Sequence, residues 1–250
     1  RAGGAARGLR RVAGTAGGTA QLLLGEEHRV PSAWPPPVLR KTVGVDEELK
    51  RAVSALRRGE VVGLPTDTVF GLAVRFGDAE AFERLARIKV RDPSKATAVL
   101  VGGLAGAEEV ASLDHRARRL IEVFWPGGLT LGVLRRSQVL VDRGGDGSTI
   151  GIRHAASAVV DALIAQAGPL VTSSANLAGD PPHLSAATVR AEFGELLGAV
   201  VEGTAPGGVA STVVDLTGEG WRGPRAGAIG EGGLRAAAGG ARPHPPPARP

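Results

Sequence analysis

Apolar residues through the middle of the chain recur at two spacings, one helical and one strand-like, which take turns. Leu49, Ala52, Val53 and Leu56 share one helical face, with Asp46 placed as N-cap and Gly59 as stop. Residues 61–64 then read as a buried strand. Asp78 caps a second helix carrying Phe82, Leu85, Ala86 and Ile88, and residues 98–101 form the next strand. A third helix runs over 114–125 and is closed by Pro126, Gly127 and Gly128. Strands follow at 129–134 and 149–152, a helix at 156–167, a strand at 169–172, a helix at 185–193 capped by Ser185, and a late strand at 211–216. Such alternation with short connections predicts an α/β or α+β domain, and no internal repeat competes with it.

The ends of the chain have another texture. Residues 1–41 are rich in Ala, Gly, Arg and Pro, with the run Pro35, Pro36, Pro37 and no sustained period. They read as a disordered basic arm. Residues 230–250 read as a second disordered tail, which leaves 42–229 as the folded domain. Charge divides the same way: of the formal net +5, the arm holds +5 and the tail +2, so the domain between them is near −2. The basicity therefore belongs to solvated ends that could touch a polyanion, not to the core. Arg1, Arg7, Arg10 and Arg11, with no acid before residue 26, loosely resemble an organelle transit peptide, but that stretch lacks serine. Methionine is absent even at position 1, which suggests a processed or trimmed chain.

Composition removes whole classes of chemistry. With 43% hydrophobic residues the chain can bury a core, and no run of 18 apolar residues suggests a membrane span. The absence of cysteine excludes disulfides, thiolate zinc, iron–sulfur clusters and a cysteine nucleophile. Three Trp, five Phe and no Tyr are too few for a base-stacking platform. There is no P-loop, no dinucleotide fingerprint, no H-E-x-x-H and no G-x-S-x-G elbow, and the five His show no metal-ligand spacing.

What remains is a set of polar clusters at strand ends, where α/β sheets hold ligands. Thr66, Asp67 and Thr68 follow the first strand. Lys89, Arg91 and Lys95 place three cations in seven residues, which suits a polyphosphate. Arg153 leaves the strand that begins at Thr149, and Thr172, Ser173, Ser174 and Asn176 end another. Ser211 and Arg225 form a last pair. Each cluster alone is also explained by turn capping or a solvated loop.

Taken in order, the clusters resemble the YrdC-like threonylcarbamoyl-AMP synthases over residues 45–230. The resemblance rests on GLPTDTVFGLA at 63–73, KVRDPSKATAVLV at 89–101, FWPGGLTL at 124–131, TIGIRHA at 149–155, PLVTSSANLAGDPP at 169–182 and STVVDL at 211–216, with RAGAI at 225–229 like the family's closing segment. It implies a single-domain α/β protein, its twisted, open, mixed and mostly parallel sheet curled around a basic concave cleft. It also implies a nucleotidyltransferase that makes threonylcarbamoyl-AMP and pyrophosphate from L-threonine, bicarbonate or CO₂, and ATP. A tRNA threonylcarbamoyl transferase would take the product onward to an adenosine next to the anticodon.

Carried over position by position, the family's catalytic core falls on Lys89, Arg91, Ser174 and Asn176. Its ATP contacts fall on Arg91, Lys95, Thr149, Ser174, Pro182 and Arg225, and its threonine pocket on Thr66, Phe70, Arg153, Thr172 and Ser211. Mg²⁺ would arrive on the ATP phosphates, with no protein ligand assigned. Departures are Asp67 for a usual Glu, Phe70 for Tyr, Lys95 for Asn and Pro182 for Ser. The family's longer members carry a further C-terminal domain, for which no residues remain here. A cytoplasmic location follows, with organelle targeting by the basic arm as the other address. Two rival readings are an RNA-binding or ribosome-maturation module using the same cleft, and a carbamoyl-transfer module. The first does not need a carboxylate-binding Arg, and the second belongs to longer, cysteine-bearing proteins.

Overall fold

The computed structural model describes residues 43–90, 97–137 and 147–237. The basic arm, the end of the chain from 238, and two of the expected phosphate cations, Arg91 and Lys95, lie outside them. The first half of the described chain runs α1 (Val43–Arg57), β1 (Val62–Leu64), β2 (Gly71–Arg75), α2 (Ala79–Ile88), β3 (Ala98–Leu100), α3 (Leu104–Val110), β4 (Ala111–Ser112) and α4 (His115–Phe124). The second half runs β5 (Leu129–Arg135), β6 (Thr149–Arg153), α5 (Ala158–Ala167), β7 (Leu170–Ser174), α6 (Ala186–Phe193), β8 (Ala199–Val200), β9 (Thr212–Asp215), β10 (Arg222–Arg225) and α7 (Glu231–Ala237). Among the described residues no helix is long and apolar enough to cross a membrane.

All ten strands join one sheet, ordered β10-β9-β5-β6-β3-β7-β2-β1-β8, with β4 on β5 off that path. The sheet is mixed, as expected, but parallel pairing is its minority. Only β1–β8, β3–β6 and β5–β9 are parallel among the described pairs, and six are antiparallel. The reason is connection length. Parallel neighbours need a crossover of a dozen or more residues, whereas β1 returns as β2 after the short 65–70 turn and β9 returns as β10 through 216–221.

Local sequence accounts for the helix starts. Asp78, Asp114, Ser157 and Ser185 each accept the backbone N–H three residues on, leaving one less orphan donor in each first turn. Asp46 is not such a cap: α1 begins at Val43, and Asp46 lies within its first turn, where the helix dipole favours an acid. Strands β2, β4, β8 and β10 and helices α3 and α7 are not expected from the sequence pattern. Helix α7 occupies the start of the tail predicted over 230–250, because Leu234 finds a buried place in the core.

Strand alternation divides the sheet into two unlike faces. On one face Phe70, Leu72, Val74, Val99, Leu129, Leu131, Ile150 and Ile152 form a continuous core with Phe82 and Leu85 of α2, Leu120 and Ile121 of α4, and Val189 and Phe193 of α6. The other face is mainly apolar where α1 and α5 cover it, through Val62, Leu64, Ala73, Leu100 and Leu170 against Ala52, Leu56, Val160 and Leu163. Beyond those two helices the same face continues as Thr130 and Gly132 of β5, Thr149, Gly151 and Arg153 of β6, Thr172 and Ser174 of β7, and Val213 and Asp215 of β9. Small and polar side chains there leave a half-open floor.

One side chain pins the edge of that floor. Arg116, in the first turn of α4, donates to the carbonyls of Leu216 at 3.0 Å and Gly218 at 2.9 Å, and to that of Gly220. Its Nε is also 2.7 Å from Asp114 Oδ2. Replacing Arg116 by Ala strands these carbonyls and is expected to cost about 1–3 kcal/mol in urea unfolding, with faster amide exchange confined to the β9–β10 hairpin. Unchanged exchange in the hairpin would show that the pin is not needed.

Candidate active site

Arg153, at the end of β6, is buried to 6% exposure. Loss of solvent pushes its guanidinium pKa down, and neighbouring Asp67 pulls it back up. Nη2 donates to Asp67 Oδ1 at 2.6 Å, and Nε donates to the carbonyl of Gly127 at 3.0 Å. Nη1 has no hydrogen-bond partner among the described residues, so the guanidinium is held by two sides and offers the third. Asp67 is fixed in turn, because its Oδ1 also accepts the Ala156 N–H at 3.1 Å. The turn that carries Asp67 is organised by Thr66, whose hydroxyl donates to the Val69 carbonyl at 2.7 Å and accepts the Thr68 N–H at 3.1 Å.

Arg153 opens into a cavity of about 110 Å³ on the half-open face. Thr66, Arg153, Thr172, Ser174, Ser211 and Arg225, all expected in the site, line it together. Gly71 forms part of its floor, and a Cβ there would lie 2.9 Å from Thr172 Oγ1. Ser211 is buried, and its hydroxyl is 2.8 Å from Thr130 Oγ1 and accepts from Arg225 Nη2 at 3.0 Å. Arg225 also donates through Nε and Nη2 to the Ser211 carbonyl. Burial lowers the Arg225 pKa, and the second guanidinium, Arg153, feels it as a like charge.

A wider cavity of about 420 Å³ adjoins the first. Thr149 lines it with Gly132, Gly151, Asp215 and Arg222, and the two cavities share Ala98, Thr130 and Arg225. Asp215 is occupied: it accepts from Thr217 and lies 2.5 Å from Arg222, and these partners hold its carboxyl below the usual range against the opposing effect of burial. Among the described residues no cluster of three or more His, Asp or Glu could hold a metal ion.

The other expected residues sit elsewhere. Lys89 is not an exposed loop cation. It is buried, and its ammonium donates to the Ser174 carbonyl at 2.5 Å, to the Asn176 carbonyl, and to Asn176 Oδ1 at 3.2 Å. Asn176 turns inward as well, accepting from Ser174 Oγ at 2.5 Å and donating to the carbonyls of Leu177 and Asp180. Lys89 and Asn176 therefore shape the turn that presents Ser174. Phe70 points to the opposite face and is fully buried in the core, because it is one residue out of phase with Gly71. Pro182 lines neither cavity. Asp67 and Thr130 also carry contacts in the site, with Arg153 and Ser211. The signal for Thr130 was its position between Leu129 and Leu131, a hydroxyl on the uncovered side of an otherwise apolar strand.

Known proteins share this fold. Residues 54–227 match the model of the Sua5/YciO/YrdC family, described as telomere recombination. A threonylcarbamoyl-AMP synthase of Chromohalobacter salexigens is 39% identical over 174 residues, which is 68% of this chain and 93% of that protein. The P. abyssi Sua5 structure complexed with L-threonine superposes with a TM-score of 0.74 at 29% identity, over 79% of this chain and 59% of that one. The E. coli YciO structure shares the fold, with a TM-score of 0.67 at 24% identity over 74% of this chain and 91% of its own.

The placement of Lys89 changes what its loss does. Lys89→Met leaves the Asn176 carbonyl without its donor and takes one of two donors from the Ser174 carbonyl and from Asn176 Oδ1, and it is expected to lower unfolding stability by about 1–3 kcal/mol in urea denaturation. A loss under about 0.5 kcal/mol, typical of a surface charge, would show that Lys89 does not fasten the 174–176 turn.

Proposed function

The chain belongs to the Sua5/YciO/YrdC family, and from that premise we propose that it makes threonylcarbamoyl-AMP. It would join L-threonine, bicarbonate or CO₂, and ATP, releasing pyrophosphate, as a nucleotidyltransferase in the modification of tRNA. The observation that carries this reading is the guanidinium of Arg153, desolvated, braced by Asp67 and Gly127, and open on one side to the smaller cavity. A rigid planar fork of that kind suits a carboxylate. The names of the relatives and the threonine in the Sua5 structure support L-threonine as the bearer of that carboxylate.

Threonine then occupies the smaller cavity, its carboxylate on Arg153 and its hydroxyl among Thr66, Thr172 and Ser211. The nucleotide occupies the wider cavity beside Thr149, with its α-phosphate toward Arg225 at the junction. Lys89 acts by positioning Ser174, while Arg91 and Lys95 supply cations for the triphosphate. Mg²⁺ binds through the ATP phosphates and water, which is its habit where few carboxylates are offered. Chemistry rests on holding two reactants in line and offsetting the charge that develops on pyrophosphate. A threonylcarbamoyl transferase acting on tRNA consumes the product.

Incubation of the protein with ATP, bicarbonate and threonine is expected to release pyrophosphate only when all three are present. Folded protein that gives none above the ATP blank would overturn the reading. Arg153→Lys is expected to weaken threonine binding roughly tenfold or more while ATP binding stays near normal, since one ammonium cannot reproduce the fork. Thr149→Ala, at a residue that lines only the wider cavity, is expected to show the reverse bias. Calorimetry with each ligand alone separates the two, and an Arg153→Lys protein that has lost ATP but keeps threonine would mean the cavities are assigned the wrong way round.

A further inference from the structure

We propose that the junction of the two cavities is the bicarbonate subsite and that Thr130 is the side chain that donates a hydrogen bond to it. This rests on the reading of the chain as a threonylcarbamoyl-AMP synthase. In that product a single carbon links the threonine nitrogen to an oxygen on the α-phosphorus. Its precursor must therefore sit where the threonine cavity meets the nucleotide cavity. Three residues line both: Ala98, Thr130 and Arg225. Ala98 supplies room and no donor, which leaves Thr130 and Arg225 to recognise an oxyanion.

Hydrogen accounting shows what Thr130 can give. The Ser211 hydroxyl accepts from Arg225 Nη2 at 3.0 Å and lies 2.8 Å from the Thr130 hydroxyl. If Ser211 donates to Thr130, the Thr130 proton is free for a ligand. If Thr130 donates to Ser211 instead, the Ser211 proton is free, and the ligand can draw the pair into the first arrangement. An anion at the junction favours that arrangement, since each hydroxyl then donates toward the negative charge and the chain Arg225–Ser211–Thr130 is polarised along its length. Thr130 is buried to 3% exposure, so bulk water does not compete strongly for its hydroxyl. Arg225 Nη1 has no hydrogen-bond partner among the described residues and supplies the second donor.

The chemistry closes at this point. The neutral amine of threonine attacks the bicarbonate carbon; an N–C bond forms, a C–OH bond breaks, and the departing hydroxide takes one amine proton and leaves as water. A carbamate oxygen then attacks the α-phosphorus; the new O–P bond forms as the bond to pyrophosphate breaks with its electron pair. Thr130 and Arg225 hold the carboxyl unit through both steps, first as bicarbonate and then as carbamate.

Thr130→Val keeps the shape and removes the hydroxyl. It is expected to raise the KM for bicarbonate about tenfold or more, with the dissociation constants of threonine and of ATP, each measured alone, within about twofold of the parent. Thr130→Ser restores the hydroxyl and is expected to recover most of the bicarbonate affinity. Thr130→Ala is the second probe if the valine variant does not fold. An unchanged bicarbonate KM, an equal loss of ATP or threonine affinity, or a serine variant as impaired as the valine one would each overturn the assignment. Wild-type protein that releases no bicarbonate-dependent pyrophosphate would remove the underlying reading, and the subsite with it.

Discussion

The registry of β3, β5, β6 and β7 governs everything at the cavities, because a strand offers alternate residues to opposite faces and a slip of one residue exchanges them. Ala98 lies opposite both Gly151 and Thr172, Leu100 opposite Arg153, and Gly132 opposite Gly151. That registry sends Leu129, Leu131, Ile150 and Ile152 into the core and, by the same stroke, Thr130, Thr149 and Arg153 onto the open side. The apolar half of each strand is what fixes the polar half in place. No loop has to order itself for Arg153 and Thr130 to face one space.

A second constraint is that the polar groups on this face hold one another. Asp67 braces Arg153 and is itself held by the Ala156 N–H. Ser211 links Thr130 to Arg225. Lys89 gathers the carbonyls of Ser174 and Asn176 from a turn nearly ninety residues away in sequence. Buried polar groups are costly unless paired, so each bond also limits where its neighbour can point. The donors left over, on Arg153 and Arg225, are thereby held toward the cavities.

Much of this was legible in the chain itself. Asp78, Asp114 and Ser185 announce their helices because capping is local chemistry, and the strand around residue 130 shows in its alternation. The ordered clusters mark the family because six of them recur in sequence. Strand β2 escaped notice because it begins at Gly71, inside a segment that reads as a ligand turn, and is made a strand by pairing with β7 a hundred residues later. In the sequence Lys89 belongs with Arg91 and Lys95 to one charge cluster; only the folded chain brings carbonyls around it. The motif puts Phe70 in the site, yet the period of the strand turns it to the opposite face. Local rules survive in the fold, and what depends on distant partners does not show in a linear reading.

Arg225 borders both cavities, and two compartments with a wall in common cannot be filled independently. Whatever hold on that guanidinium a first occupant takes, a second meets a site already altered by it. Equilibrium then requires the effect to be equal in both directions, so that the order of filling changes the path but not the total. The shared arginine thus makes the pair of cavities a single thermodynamic object, in which the affinity of either half has no fixed value until the state of the other is given.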